Sequence, residues 1–166
     1  MILETQRLII RELTPKDAPF FFELVNDDGW KRFIGDRNVK TLQDAEDYLT
    51  GRIIPSYSDW GFGFYLVIEK DTKNSLGITG FVKRDELKFA DVGFAFLPIG
   101  RGKGFALEST QAIMDYGFGN LGFTTVLGIA NNDNERSHLL LKKLGLRFDK
   151  YIQLSDEDQE ISLFTT

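Results

Sequence analysis

The hydrophobic positions in the middle of the chain follow the pattern of β-strands. Residues 62–69, 76–83 and 90–97 are rich in aromatic and β-branched side chains, which are enriched in strands. The first two segments are separated by Asp71-Thr72-Lys73-Asn74-Ser75, whose residue types favour a turn. These spacings predict an antiparallel meander.

Two helix starts precede this meander. Thr14-Pro15-Lys16-Asp17 combines an N-cap residue, a proline at the first helical position and an acid in the first turn. It predicts a helix to about residue 26. Thr41-Leu42-Gln43-Asp44 opens a second helix, which we expect to end before Pro55.

Two more helices follow the meander. A glycine-rich turn at residues 100–104 leads into the first, and Asn134 caps the second, whose inner face carries Leu140, Leu141 and Leu144. The remaining strands are predicted at residues 8–12, 124–130, 147–154 and 160–165.

The element order is therefore β α α β β β α β α β β. It predicts an α/β (α+β) fold in which about four helices flank both faces of a mixed, mostly antiparallel seven-stranded sheet. The chain has 166 residues, of which 42% are hydrophobic, enough for one domain with a sizeable core. We expect a single domain over residues 1–166.

The amino-acid composition limits which catalytic and metal-binding groups the chain can contain. The chain has no cysteine and one histidine, which excludes disulfides, thiolate nucleophiles, cysteine zinc sites and multi-histidine metal centres, and we expect no metal. The apolar stretch at the N-terminus is short and interrupted by Glu4 and Arg7. We therefore expect no signal peptide, no membrane anchor and a cytoplasmic location.

The formal net charge of −5 argues against a nucleic-acid partner. It mildly favours a cationic one.

The segment at residues 100–104 has the features of an anion site. A helix N-terminus presents unpaired backbone N–H groups and the positive end of a dipole, and a glycine-rich approach exposes them to a phosphate. Lys103 is followed by Gly104 rather than by Ser or Thr, so the segment is not a Walker loop. It also lacks the G-x-G-x-x-G/A pattern and the βαβ setting of a dinucleotide-binding fold.

Arg101, Gly104 and Ala106 form the pattern R-x-x-G-x-A, which resembles the pyrophosphate loop of the GNAT acyltransferases. The stretches ETQRLIIRELTPKDAP, ADVGFAFLPIGRGKGFALEST, NNDNERS and LLKKLGL look like the branch that contains ribosomal-protein N-terminal acetyltransferases. The alternative is that the loop is only a glycine-rich connection.

The resemblance implies an acetyl-CoA site. The pyrophosphate would lie on the backbone N–H groups of residues 102–106, and a bulge would splay the strand at 90–97 from the strand at 124–130 to admit pantetheine. The N–H near Phe96 would polarise the thioester carbonyl. The cofactor-binding residues implied are Phe94, Ala95, Phe96, Leu97, Arg101, Gly102, Lys103, Gly104, Phe105, Ala106, Asn134 and Ser137.

Two residues are candidates for catalysis. Asp91 matches a position where several family members carry a base, although it is also readable as an exposed strand carboxylate. Ser137 lies four residues before Leu141, where many members have a tyrosine acid. The hydroxyl of Ser137 therefore becomes a candidate for stabilising the departing thiolate, unless it is a plain first-turn serine or water takes that role. Glu108 fits a dipole partner or structural bond better than a base.

The acceptor pocket is the least defined part of the site. Its walls would include Trp30, Trp60, Phe62 and Tyr65, for each of which plain packing is equally consistent with the sequence. The leading hypothesis is an acetyl-CoA-dependent N-acetyltransferase in which a primary amine, on a protein N-terminus or a small molecule, attacks directly in a ternary complex. The alternatives are a non-catalytic CoA-binding module and an unrelated nucleotide-binding protein. A monomer and a homodimer are both compatible with the sequence.

Overall fold

The computed structural model describes residues 3–166 and places their strands in one sheet. The spatial order is β1-β2-β3-β4-β5-β6-β8-β7. Numbered along the chain, the strands of residues 3–166 are β1 (Leu3–Glu4), β2 (Leu8–Glu12), β3 (Phe64–Glu69), β4 (Ser75–Val82), β5 (Asp91–Phe96), β6 (Leu127–Asn131), β7 (Arg147–Ile152) and β8 (Ile161–Thr165).

The sheet is mixed and mostly antiparallel, which confirms the predicted fold class. Only the β5–β6 pair is parallel among the described strands. The strand beyond the predicted seven is β1, whose two residues are too few to give an alternating pattern.

The helices differ from the prediction in number and length. Within residues 3–166, α-helices form at α1 (Ala18–Asn26), α2 (Asp28–Phe33), α3 (Leu42–Tyr48), α4 (Ile54–Asp59), α5 (Phe105–Gly119) and α6 (Glu135–Lys143).

Helix α3 ends at Tyr48, before Pro55 as predicted, but the helical backbone then continues through this proline, which the sequence did not predict. A π-helical turn, Leu49–Ile53, joins α3 to α4. Pro55 then lies in the first turn of α4, a helix position that tolerates proline.

The helices cover both faces of the sheet. On one face α5 and α6 contribute Ile113 and Leu141 to a core that includes Phe81 and Val92. On the other face, α1 to α4 and the π turn pack over Leu66, Ile78 and Leu97, with Phe21 and Leu49 at the centre. Because side chains alternate along a strand, successive residues of β5 point toward these two cores in turn.

Candidate active site

A cleft of about 1550 Å³ runs along β5. Its wall is built from both faces of the sheet, from the loop before α5 and from the first turn of α6. It contains many of the residues singled out from the sequence: Trp30, Trp60, Phe62, Asp91, Phe94, Ala95, Phe96, Arg101, Gly102, Gly104, Ala106, Asn134 and Ser137.

The cleft opens because β5 and β6 separate. Their parallel pairing comprises Asp91 with Leu127 and Val92 with Gly128, and goes no further. The β4–β5 ladder continues without a register shift to Phe96, so the predicted bulge in this strand is wrong. The strands diverge without one.

The divergence leaves backbone groups of β5 facing the opening. The N–H of Leu97 donates to Leu76 on the β4 side at 2.9 Å, and the carbonyl of Ala90 accepts from Leu127 on the β6 side at 2.9 Å. Since backbone groups alternate along a strand, Phe94 and Phe96 turn their N–H groups toward the gap. Such an edge can bind the amides of an extended ligand.

The loop before α5 has the geometry of an anion site. Gly102 and Gly104 both have positive φ, +74° and +82°, a conformation that glycine adopts without strain. Gly104 is the N-cap of α5, and no side chain caps the helix. The first-turn N–H groups are therefore left for a ligand.

Arg7 supplies a charge beside this loop that the sequence interpretation missed. Its Nη1 donates to the carbonyl of Lys103 at 3.0 Å, and its guanidinium lies over the Phe105 ring at 4.4 Å from the centroid. Glu108 holds it there through an Nε–Oε2 contact of 2.7 Å, which agrees with a structural role for Glu108. The pattern of residues around Arg7 gave no indication that β2 reaches the loop.

Arg101 is directed away from the position expected for a phosphate. Its Nε donates to the carbonyl of Phe96 at 2.8 Å, and its Nη2 pairs with the carboxylate of Asp27. Asp27 also caps α2 by accepting from the N–H of Gly29 at 2.9 Å. Arg101 therefore ties the glycine loop to α2.

Three of the residues expected to contact the cofactor do not form the cleft wall. Leu97 is buried and borders a separate pocket of about 450 Å³ next to α1. Phe105 is buried beneath Arg7. The side chain of Lys103 is exposed, and its carbonyl is engaged by Arg7.

Asp91 lies in the short paired stretch of β5 and β6, one residue before the last pair. Its side chain is only 2% exposed and pairs with Nε of Arg84 at 2.8 Å. Burial raises the pKa of the Asp91 carboxyl, although the neighbouring guanidinium of Arg84 acts in the opposite direction. The alternative of an exposed strand carboxylate is therefore wrong.

Asn134 caps α6 as predicted, since its Oδ1 accepts from the N–H of Ser137 at 3.2 Å. Ser137 is half-buried and faces the cleft. Leu141, one turn later, is 1% exposed and belongs to the core. A Cβ atom at Gly128 would come within 2.6 Å of its Cδ2, so the space around Leu141 is filled.

The four aromatic residues expected around the acceptor differ in where they lie. Trp60 is exposed at the rim, with 55% of its surface accessible, whereas Trp30 is 7% exposed and its Nε1 has no hydrogen-bond partner. Phe62 lies in the core with one side on the cleft. Tyr65 is stacked on Tyr57 inside the core and takes no part in the wall. Tyr65 therefore has the plain packing role that was the alternative to a place in the acceptor wall.

Residues 3–166 contain neither a metal-binding cluster nor a membrane-spanning helix. No group of three or more His, Asp and Glu side chains is arranged to hold a metal ion. None of the helices described is long and apolar enough to cross a membrane.

Comparisons with known proteins agree with this geometry. A family model described as Acetyltransferase (GNAT) domain matches residues 7–147. The uncharacterized N-acetyltransferase YoaA of Bacillus subtilis (strain 168) is 30% identical over 152 residues, which cover 88% of this chain and 82% of that protein.

Two solved structures share the fold at low sequence identity. The RimL ribosomal L7/L12 alpha-N-protein acetyltransferase in complex with coenzyme A superposes with a TM-score of 0.84 at 16% identity, covering 99% of this chain and 96% of that one. The spermidine N-acetyltransferase from Vibrio cholerae in complex with CoA and spermine gives 0.79 at 17% identity, with 98% and 96% covered. These comparisons give no support to a non-catalytic module.

Proposed function

The chain belongs to the GNAT acetyltransferases, and from that membership we propose that it transfers the acetyl group of acetyl-CoA to a primary amine by direct attack. The observation that carries this proposal is the meeting of two features in one cleft. The gap between β5 and β6 opens directly beside the glycine loop at the N-terminus of α5. A pyrophosphate bound at the loop would place an extended pantetheine arm along the gap.

The residues of the loop fit the phosphates. The N–H groups of residues 102–106 lie at a helix N-terminus without a side-chain cap, and Arg7 stands beside them. The open N–H groups of Phe94 and Phe96 would bind the pantetheine amides and the thioester oxygen. Losing one donor that polarises such a carbonyl typically costs about 10²- to 10³-fold in rate.

The reaction forms a carbon–nitrogen bond, breaks a carbon–sulfur bond and moves one proton from the amine to a base. The neutral amine nitrogen attacks the thioester carbon, the carbon–sulfur bond breaks, and the amine proton leaves the nitrogen. Asp91, whose pKa is raised by burial, would accept or relay that proton. Ser137 would donate a hydrogen bond to the departing thiolate, whose conjugate thiol has a pKa of about 8.5 and needs no full proton transfer.

The acceptor is proposed as a protein N-terminus or a small-molecule amine. Both classes occur among the solved relatives, in the RimL protein and in the spermidine acetyltransferase. Single-domain organisation, a cytoplasmic location and a monomeric or homodimeric state remain predictions.

Initial-rate kinetics with acetyl-CoA and a panel of peptides and small amines test the proposal. Direct attack predicts intersecting double-reciprocal lines and an acetylated amine identified by mass spectrometry. Parallel lines would contradict direct attack in a ternary complex. CoA binding without acetylation of any amine would contradict catalysis.

A further inference from the structure

Basic side chains without carboxylate partners surround the part of the cleft that faces α1 to α4. Arg37 follows α2, Arg52 lies in the π turn, and Lys83 follows β4, and all three border the cleft. Within residues 3–166 none of them has a carboxylate oxygen within 4.0 Å. We name Arg37, Arg52 and Lys83 the acceptor-side cations.

The carboxylates of the cleft do not balance these charges. Four acidic residues border it, and two of them are already paired, Asp27 with Arg101 and Asp91 with Arg84. The other two, Glu86 and Asp158, are fewer than the five basic residues of the cleft that have no ion pair within residues 3–166, which are the three acceptor-side cations together with Arg136 and Lys143 of α6. The cleft is therefore basic although the whole chain has a net charge of −5.

This local excess reverses the preference that net charge suggested. A cationic acceptor with several amines would bring a second positive charge into a basic cleft, which like charges disfavour. An acceptor with an anionic group would gain an ion pair there.

Resting on the proposed function, we infer that the acceptor is a primary amine that also carries a carboxylate, which the acceptor-side cations bind while the amine reaches Asp91. The source of this chemistry is either an amino-acid-like small molecule or a peptide with acidic residues next to its N-terminus. The same cations favour the reactive form of the acceptor. A nearby positive charge lowers the pKa of a bound ammonium group, so a larger fraction of the amine is neutral.

Matched acceptors test the inference. We expect a peptide with Glu at positions 2 and 3 to be acetylated with a higher kcat/KM than the same peptide with Gln, and the Lys version to be the poorest. β-Alanine against β-alaninamide makes the same comparison for small molecules, and spermidine is the polycationic probe. If the preference for a carboxylate appears only with the peptides or only with β-alanine, that result shows whether the acceptor is a peptide or a small molecule.

Variants link the preference to the named residues. Arg37→Gln, Arg52→Gln and Lys83→Gln should each reduce the Glu-over-Gln ratio by about two- to fivefold, as expected for one exposed ion pair. Added salt should reduce it as well. Lys150→Gln, on the exposed strand β7, is the control and should leave the ratio unchanged.

The outcomes separate the two proposals. Spermidine or the Lys peptide reacting fastest, or equal rates within each matched pair, overturns the carboxylate inference and leaves acetyl transfer intact. The inference is also overturned if the ratio of kcat/KM for the Glu peptide to that for the Gln peptide is unchanged in all three cation variants. Failure of every amine while CoA binds overturns the proposed function and this inference with it.

Discussion

Arg101 and Asp27 connect the glycine loop before α5 to the first turn of α2. Nη2 of Arg101 contacts Oδ2 of Asp27, and the same oxygen accepts from the N–H of Gly29. The loop would hold acetyl-CoA, and α2 carries Trp30, which borders the same cleft. A shift of one element is therefore transmitted to the other.

Asp27→Asn should raise the KM for acetyl-CoA and the KM for the acceptor together, each about two- to fivefold, the range of one partly exposed ion pair. Asparagine remains a good N-cap, so α2 should persist. Steady-state kinetics in both substrates provide the measurement. Asp133→Asn removes the exposed Arg32–Asp133 pair and is the control. A rise in only one KM would mean that the pair acts on one element alone.

Gly104→Val should weaken CoA binding by about tenfold or more, because a β-branched residue resists φ = +82° and blocks close approach of phosphate to the backbone. Isothermal titration calorimetry measures the loss. Gly122→Val has similar strain, since Gly122 has φ = +71°, and its Cβ also meets open space, but it lies outside the cleft. Equal CoA affinity in the two variants would remove the loop assignment.

Asp91→Asn should lower kcat by about 10²-fold if Asp91 is the base, with CoA affinity near wild type. Because burial raises the pKa of Asp91, the wild-type rate should fall toward acid from a pH above the ordinary carboxyl range. Arg84→Gln should move that limb to still higher pH, since Arg84 opposes the rise. A pH–rate profile unchanged in Asp91→Asn would mean that water or another carboxylate accepts the amine proton.

Ser137→Ala should reduce kcat by about 10- to 150-fold, the worth of a hydrogen bond to a charged group made only in the transition state. The fold should be retained because Asn134 caps α6 through the backbone of residue 137. Presteady-state measurements that isolate the chemical step are required. If Ser137→Ala keeps the full rate of the chemical step, Ser137 is only a residue of the first helical turn and has no role in stabilising the thiolate. A tyrosine at Leu141 would overpack the core instead of replacing the hydroxyl.

Glu108→Gln should lower the free energy of unfolding at neutral pH by about 1–2 kcal/mol. Burial raises the pKa of Glu108, but hydrogen bonds from Thr5 and Arg7 outweigh it and lower the pKa below its ordinary value. The stabilisation is thus present above the unfolded-state pKa and is lost as pH falls through the lowered one. Denaturant titrations of both proteins should converge at low pH. A difference independent of pH would contradict this origin.

The sequence predicted the elements whose signals are local. Strands β3 to β5 and the caps at Thr41 and Asn134 depend on neighbouring residues, and Oγ1 of Thr41 accepts from Asp44 at 3.0 Å as the capping pattern predicts. Helix α2 was missed because six residues show too little periodicity. The helical continuation through Pro55 was not predictable, because the π turn before it has no sequence signature.

The candidate site was predictable only where one motif spans it. The glycine loop could be recognised from a short run of residues, whereas the ties between Arg101 and Asp27 and between Arg7 and Lys103 join residues 74 and 96 positions apart. The burial of Asp91 likewise depends on Arg84 and on strands that meet only in the folded sheet. Net charge averages over the whole surface and therefore could not show that basic residues outnumber acidic ones in the lining of the cleft.

The short pairing between β5 and β6 also limits how strongly the two parts of the sheet are held together. Among the described strands, two residue pairs connect the five strands on one side to the three on the other. Side-chain packing of α5 and α6, contacts of Leu87 with Leu127 and Leu163, and the exposed Arg32–Asp133 pair also join the two parts. Widening the cleft to admit a bulky ligand therefore breaks few backbone hydrogen bonds. The two parts of the sheet are therefore joined most weakly at the gap between β5 and β6, which is also the proposed path of the acyl group.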